Sequence, residues 1–190
     1  MKKVVIKSTI ITVLIIILFS VAFTFIVTAF FPKYVADVSF KLGNKQACVN
    51  YSEKQYNKTL ERDDLSTLVE RSIWAGNNAY TIKYGAILIN SESFSTYCNL
   101  KDDGYLYYIV SSYVKALYES GEKQKSVETA FLNTSTYSAT NPIRVVASLA
   151  IEENNEDIVL LICQNLQNRN DCNEQIIQSD LALLTEFLNS

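Results

Sequence analysis

Phe40-Lys41-Leu42-Gly43-Asn44-Lys45-Gln46-Ala47-Cys48-Val49 and Tyr118-Glu119-Ser120-Gly121-Glu122-Lys123-Gln124-Lys125-Ser126-Val127 share one pattern: Gly, any residue, Lys, Gln, any residue, a small residue, Val. The pattern returns with less identity at Ile73-Trp74-Ala75-Gly76 followed by Thr81-Ile82. It returns again at Ile151-Glu152-Glu153-Asn154 followed by Val159-Leu160, where Asn replaces Gly. Turns are therefore expected at 43, 76, 121 and 154, separated by 33, 45 and 33 residues. Gly or Asn suits the left-handed backbone that ends a helix. Seven residues before each turn stand Ala36, Val69, Val114 and Ala147. Six after stand Val49, Ile82, Val127 and Leu160, and nine after stand Ser52, Gly85, Ala130 and Cys163. Small and apolar slots at these offsets give each helix a stripe for close contact with its neighbour.

Working outward, Leu42-Gly43 with Cys48 and Tyr51 resembles the tetratricopeptide repeat. In that family a helix ends in Leu-Gly, a short turn follows, and a second helix carries a small residue five places on, with a period of about 34 residues. The resemblance covers roughly residues 33–168. It implies an all-α fold of stacked helical hairpins whose inner helices, about 33–42, 64–75, 105–120 and 142–153, line a groove for an extended or helical partner segment. The expected units lie near 33–57, 63–90, 104–132 and 141–168, with a capping helix over 172–188. In that last helix Ile177, Leu181, Leu184 and Leu188 form one stripe, and Asp180 and Glu186 lie off it. Capping signals agree: Asn141-Pro142 reads as an N-cap followed by proline, Asp63 or Asp64 can cap the helix through Trp74, and Asp171 with Glu174 imitates a capping box. Residues 91–103 fit no unit. Insertions into such stacks gather on one face that often binds, whereas the plainer reading is a short linking helix.

Before the repeats, residues 8–31 hold no charge. As a helix this stretch reaches about 36 Å, enough to cross a hydrocarbon core of about 30 Å. Residues 1–31 are thus expected to form a cytoplasmic tip and membrane anchor, and residues 32–190 an extracytoplasmic domain. Lys2, Lys3, Lys7 and the terminal amine on one flank, against Lys33 on the other, place the N-terminus in the cytoplasm. A cleaved secretory signal is the rival, since Ser20-Val21-Ala22 and Val27-Thr28-Ala29 imitate cleavage sites. The apolar run, however, continues past both and is longer than a signal core. Ser20, Thr24 and Thr28 recur every four residues, a spacing that lets two anchors pair as a homodimer.

From Pro32 onward the chain holds 14 Lys and Arg against 20 Asp and Glu, a balance that argues against nucleic acid. The acidity is concentrated at the end: residues 145–190 hold eight acids and one base, Arg169. That end either receives a basic partner or is a solvated face. With 2 Pro and 5 Gly in 190 residues, a strand-rich, turn-rich domain is disfavoured. Histidine is absent, and Cys48, Cys98, Cys163 and Cys172 lack metal-ligand spacing, so neither a metal nor another cofactor is expected. Cys48 and Cys163 fall in small slots and read as buried thiols. If any bridge forms, Cys163 with Cys172 is the nearest pair. Of the acidic pairs at 63–64, 102–103, 152–153 and 156–157, three sit at expected turns or helix starts, neighbours in sequence do not face one site, and no phosphate loop or nucleophile elbow occurs. The chain therefore reads as a non-enzyme.

Tyrosine is the unusual enrichment, 12 in the chain, with Tyr105, Tyr107, Tyr108, Tyr113 and Tyr118 crowded into one expected helix. Tyr buries its ring and keeps its hydroxyl available to a partner, so the crowd is either repeat core or a binding face. Tyr80, Tyr107 and Tyr108, with Phe94 and Tyr97 of the insert, are the candidate partner-binding residues. The expected function is a membrane-anchored interaction scaffold docking a peptide or protein of a cell-envelope assembly. The alternative is a binding module for an envelope glycan or small ligand.

Overall fold

The computed structural model describes residues 2–102, 104–138 and 140–190, and for residues 2–11 the backbone alone. Among the described residues the regular structure is eleven helices and no strand, so the fold is all-α. The chain divides into two compact units, 1–71 and 72–190.

In the first unit, α1 (Lys2–Phe30) contains the stretch Thr12–Phe30, 19 residues with a mean hydropathy of 2.8 and none of it buried. It is long and apolar enough to cross a membrane or serve as a signal anchor. Within it, the Thr24 hydroxyl donates to the Ser20 carbonyl at 2.8 Å and Thr28 to the Phe25 carbonyl at 3.1 Å. Pro32 cannot continue the helical ladder, and the chain breaks at Phe31 before α2 (Pro32–Lys41). Next come α3 (Lys45–Thr59), packed on α2, and α4 (Arg62–Ala75). Arg71 ion-pairs with Asp37 of α2 and donates to the Ser52 hydroxyl of α3 at 3.0 Å. Buried Asp64 accepts from Gln55 at 2.8 Å and Thr59 at 2.7 Å. Its carboxylate thereby serves the α3–α4 junction, and both Asp63 and Asp64 sit inside the first turn of α4.

The second unit contains α5 (Asn78–Ile89), α6 (Phe94–Lys101), α7 (Tyr105–Glu119), α8 (Lys123–Leu132), α9 (Pro142–Glu152), α10 (Glu156–Gln167) and α11 (Gln175–Leu188). Apolar α7 is its hub, packed on α5, α6, α8 and α9, and α10 packs on α8, α9 and α11. Where α5 meets α7 the approach is so close that a Cβ on Gly85 would lie 2.8 Å from Cδ2 of Tyr113.

Four turns recur with one geometry. Gly43, Gly76, Gly121 and Asn154 take φ of 71°, 70°, 89° and 52°, the left-handed region. Each donates its N–H to the carbonyl three residues back (Phe40, Ile73, Tyr118, Ile151), always at 3.0 Å. Each following residue donates to the carbonyl five back (Ser39, Ser72, Leu117, Ala150) at 2.8 to 2.9 Å. This double closure satisfies the carbonyls left open at a helix end. The following residue also starts the next helix. Asn44, Asn77 and Asn155 each accept the N–H three places on at 3.2 Å, and Glu122 starts α8 without such a side-chain bond.

Packing corrects the expected register. Six residues after the turn, Val49 and Val127 are buried, but Ile82 is half-buried and Leu160 is 48% exposed. The slot buried in all four hairpins is five after: Cys48, Thr81, Ser126 and Val159. Its residues are compact, and in the third hairpin the Ser126 hydroxyl donates across to the Val114 carbonyl at 2.7 Å. The nine-after slot, Ser52, Gly85, Ala130 and Cys163, is buried throughout. The last helix starts at Gln175 rather than at 172, because the Asp171 carboxylate is held by Arg169 at 2.7 and 2.8 Å instead of capping the helix.

Candidate functional site

Helices α9, α10 and α11 enclose a cleft of about 380 Å³. Asn141 sets its geometry at the start of α9: its side chain accepts the Arg144 N–H at 3.1 Å, and Pro142 occupies the first turn. From there Ile143, Ala147 and Ile151, spaced four apart on α9, form one wall. Ile162 and Leu166 of α10 form the floor, while Ser179, Asp180, Leu183 and Leu184 of α11 form the other wall. Leu183 is 60% exposed at the mouth.

One polar corner interrupts this apolar lining. Arg144 grips Asp180 bidentately, Nε to Oδ2 at 2.7 Å and a terminal nitrogen to Oδ1 at 2.8 Å. The buried Tyr137 phenol donates to the same Oδ2 at 2.7 Å. Burial pushes the Tyr137 phenol up, and its bond to Asp180 adds to the rise. The Asp180 bond likewise raises Arg144. With both its oxygens accepting, the carboxylate is compensated, and the corner ties α9 and α11 to Tyr137 of the preceding connection. That connection is tied down again by Arg169, which donates to the Thr134 carbonyl at 3.0 Å and lies 5.7 Å from the centre of the Tyr137 ring. A preformed apolar cleft with one fixed polar corner is suited to receiving apolar side chains of a partner.

None of the five candidate residues read from the sequence lines this cleft. Tyr97 and Tyr108 are brought together through Tyr105, whose ring centre lies 6.4 Å from Tyr97 and 6.5 Å from Tyr108. The Lys101 ammonium sits 5.4 Å over Tyr97 and 5.8 Å over Tyr105, and Tyr108 is 42% exposed. Tyr80 belongs to a second cluster, its ring 5.7 Å from that of Tyr84, with Lys83 donating to the Tyr84 hydroxyl at 2.8 Å. Tyr107 is half-buried on α7. Phe94, the first residue of α6 within the insert, is only 7% exposed, which takes it off any open face. Sequence alone does not single out Tyr137, Arg144 and Asp180 of the cleft, although Asn141-Pro142 and the off-stripe position of Asp180 both lie at this corner.

All four cysteines are free thiols, Cys163 and Cys172 included; Cys48, Cys98 and Cys163 are buried. Burial raises all three of these thiols, Cys98 to about 11, which keeps them unreactive. No known protein family, curated protein or solved structure matches the chain.

Proposed function

We propose that this protein is a membrane-anchored interaction scaffold, with tetratricopeptide-like hairpins that dock a peptide or protein partner of a cell-envelope assembly. The observation that carries the reading is the fourfold recurrence of one helix-turn-helix closure, with a compact buried residue five places after each turn. A chain that repeats a hairpin this closely builds surface for recognition, since each added hairpin lengthens a face without adding chemistry. In this reading α1 crosses the membrane with Lys2, Lys3 and Lys7 on the cytoplasmic side, and the hairpins stand outside it. Binding is the whole mechanism. The α9–α11 cleft accepts an apolar side chain of the partner, and the Tyr97–Tyr105–Tyr108 cluster offers a second contact.

Crosslinking of the tagged full-length protein in native membranes, with residues 1–31 alone as control, tests the reading. A specific partner captured through residues 32–190 and lost on Leu183→Asp supports it. Capture no better than with the anchor control contradicts it.

A further inference from the structure

Where α1 ends, the first unit exposes large apolar side chains beside lysines. Phe31 is the single residue between α1 and α2, and Tyr34, one turn into α2, is 64% exposed. The Lys58 ammonium, near the end of α3, donates to the Phe30 carbonyl at 3.2 Å, an acceptor that the break at Pro32 leaves open. That bond holds the end of α3 against the end of α1. Two residues beyond it stands Leu60, 72% exposed and in left-handed backbone at φ 56°. A leucine there accepts strain that Gly or Asn would avoid, and it also presents its side chain to solvent.

We propose that Phe31, Tyr34 and Leu60, flanked by Lys33 and Lys58, form a collar seated in the headgroup region of the bilayer. The inference rests on the reading that α1 spans a membrane. Distances along the chain select lipid as the occupant. A hydrocarbon core of about 30 Å takes about 20 of the uncharged residues 8–31 and, centred on that run, ends near Phe30. The headgroup layer on each side is roughly 6 Å thick. Tyr34 lies about 6 Å of helix rise beyond Phe30, so it stays within the layer whichever way α2 leans. The chemistry matches the layer as well: tyrosine rings concentrate at membrane interfaces, and lysines there bury their stems and keep their ammonium groups among the phosphates. A lipid setting also gives Leu60 an apolar environment that water does not. Val38 and Leu42 continue the exposed stripe of α2 at four-residue spacing.

The test uses the full-length chain with Trp74→Phe, reconstituted in phosphatidylcholine–phosphatidylglycerol vesicles. Single tryptophans are introduced by Leu60→Trp, Tyr34→Trp, Phe23→Trp within α1, and Leu132→Trp on α8 as a solvent control. Lipids brominated at shallow or deep acyl positions serve as quenchers. The collar predicts blue-shifted emission at positions 60 and 34 with loss of intensity greatest for the shallow quencher, greatest loss for the deep quencher at position 23, and none at position 132. Quenching at 23 with red, unquenched emission at 60 and 34 overturns the collar and leaves the span intact. Blue-shifted but unquenched emission at 60 means that protein rather than lipid covers it, and overturns the collar too. An unquenched position 23 removes the span itself.

Discussion

The hairpins α2–α3 and α9–α10 turn on the same backbone geometry yet use their faces differently. At Gly43 and at Asn154 the left-handed residue, the two closing bonds and the Asn cap coincide within 0.1 Å. In the first hairpin, Ala36, Cys48 and Val49 are all buried, and the exposed residues Tyr34 and Leu42 lie on the outer side of α2. In the last, Val159 is buried, Leu160 is exposed, and Ala147 opens into the cleft that α11 closes from the far side. Turn geometry is thus local chemistry, written by Gly or Asn followed by a cap. Which side chains end up buried is decided by neighbouring elements.

The largest effect that bears on this comparison comes from the shared nine-after slot. Gly85→Val places a branched side chain against Tyr113 and is expected to destabilise the second unit by about 3 kcal/mol in a urea titration in detergent. Cys163→Ala, in the same slot, is expected to cost about 1 kcal/mol. A cost near zero for Gly85→Val would mean that α5 and α7 do not approach closely at this slot. Next in size is Asp180→Ala, which strips Arg144 and Tyr137 of their common acceptor and should cost about 2 kcal/mol, measured the same way. A change near zero would mean that the corner does not hold α9 and α11 in register.

Smaller effects test the turns themselves. No atom lies within 4 Å of a Cβ added at Gly43, Gly76 or Gly121, so Gly→Ala at each should cost only the left-handed strain, about 1 kcal/mol. Asn154→Gly should be neutral within a few tenths. Unequal costs at the three glycines would break the claim of one shared geometry. The smallest effect concerns pH. The Tyr137 phenol is raised in the folded chain and titrates near pH 10 when unfolded, so its contribution is fully present below about pH 10 and is lost as pH rises further. Tyr137→Phe should flatten the alkaline slope of stability relative to the unmodified protein. Tyr113, Tyr118 and the thiols of Cys48, Cys98 and Cys163, also raised by burial, retain the remaining slope.

Much of the fold was legible because its signals are short-range. Gly43, Gly76, Gly121 and Asn154 each sit within five residues of the groups they bond, and Asn141 reaches only three residues ahead to Arg144. The apolar run ending at Phe31 needed composition alone. The cleft was illegible for the opposite reason. Arg144 meets Asp180 across 36 residues and Tyr137 meets it across 43, pairings that leave no periodic trace. The register slip at Leu160 has the same origin: Val159 and Leu160 are equally apolar, and only the packing of α10 on α8, α9 and α11 separates them. The tyrosines left two readings open because crowding in one helix does not say which rings point outward; Tyr113 and Tyr118 went to the core and Tyr108, one of the candidates, to the surface.

The central claim is that the second unit docks a partner through the cleft between α9 and α11. The most direct test places a photo-crosslinking amino acid at Leu183, in the mouth of the cleft, or at Leu132, which is 85% exposed on α8, in the full-length protein in native membranes. The account predicts one discrete adduct from position 183, absent from position 132 and abolished by Ala147→Asp in the cleft wall. Adducts that are the same at both positions, or that survive Ala147→Asp, would contradict it.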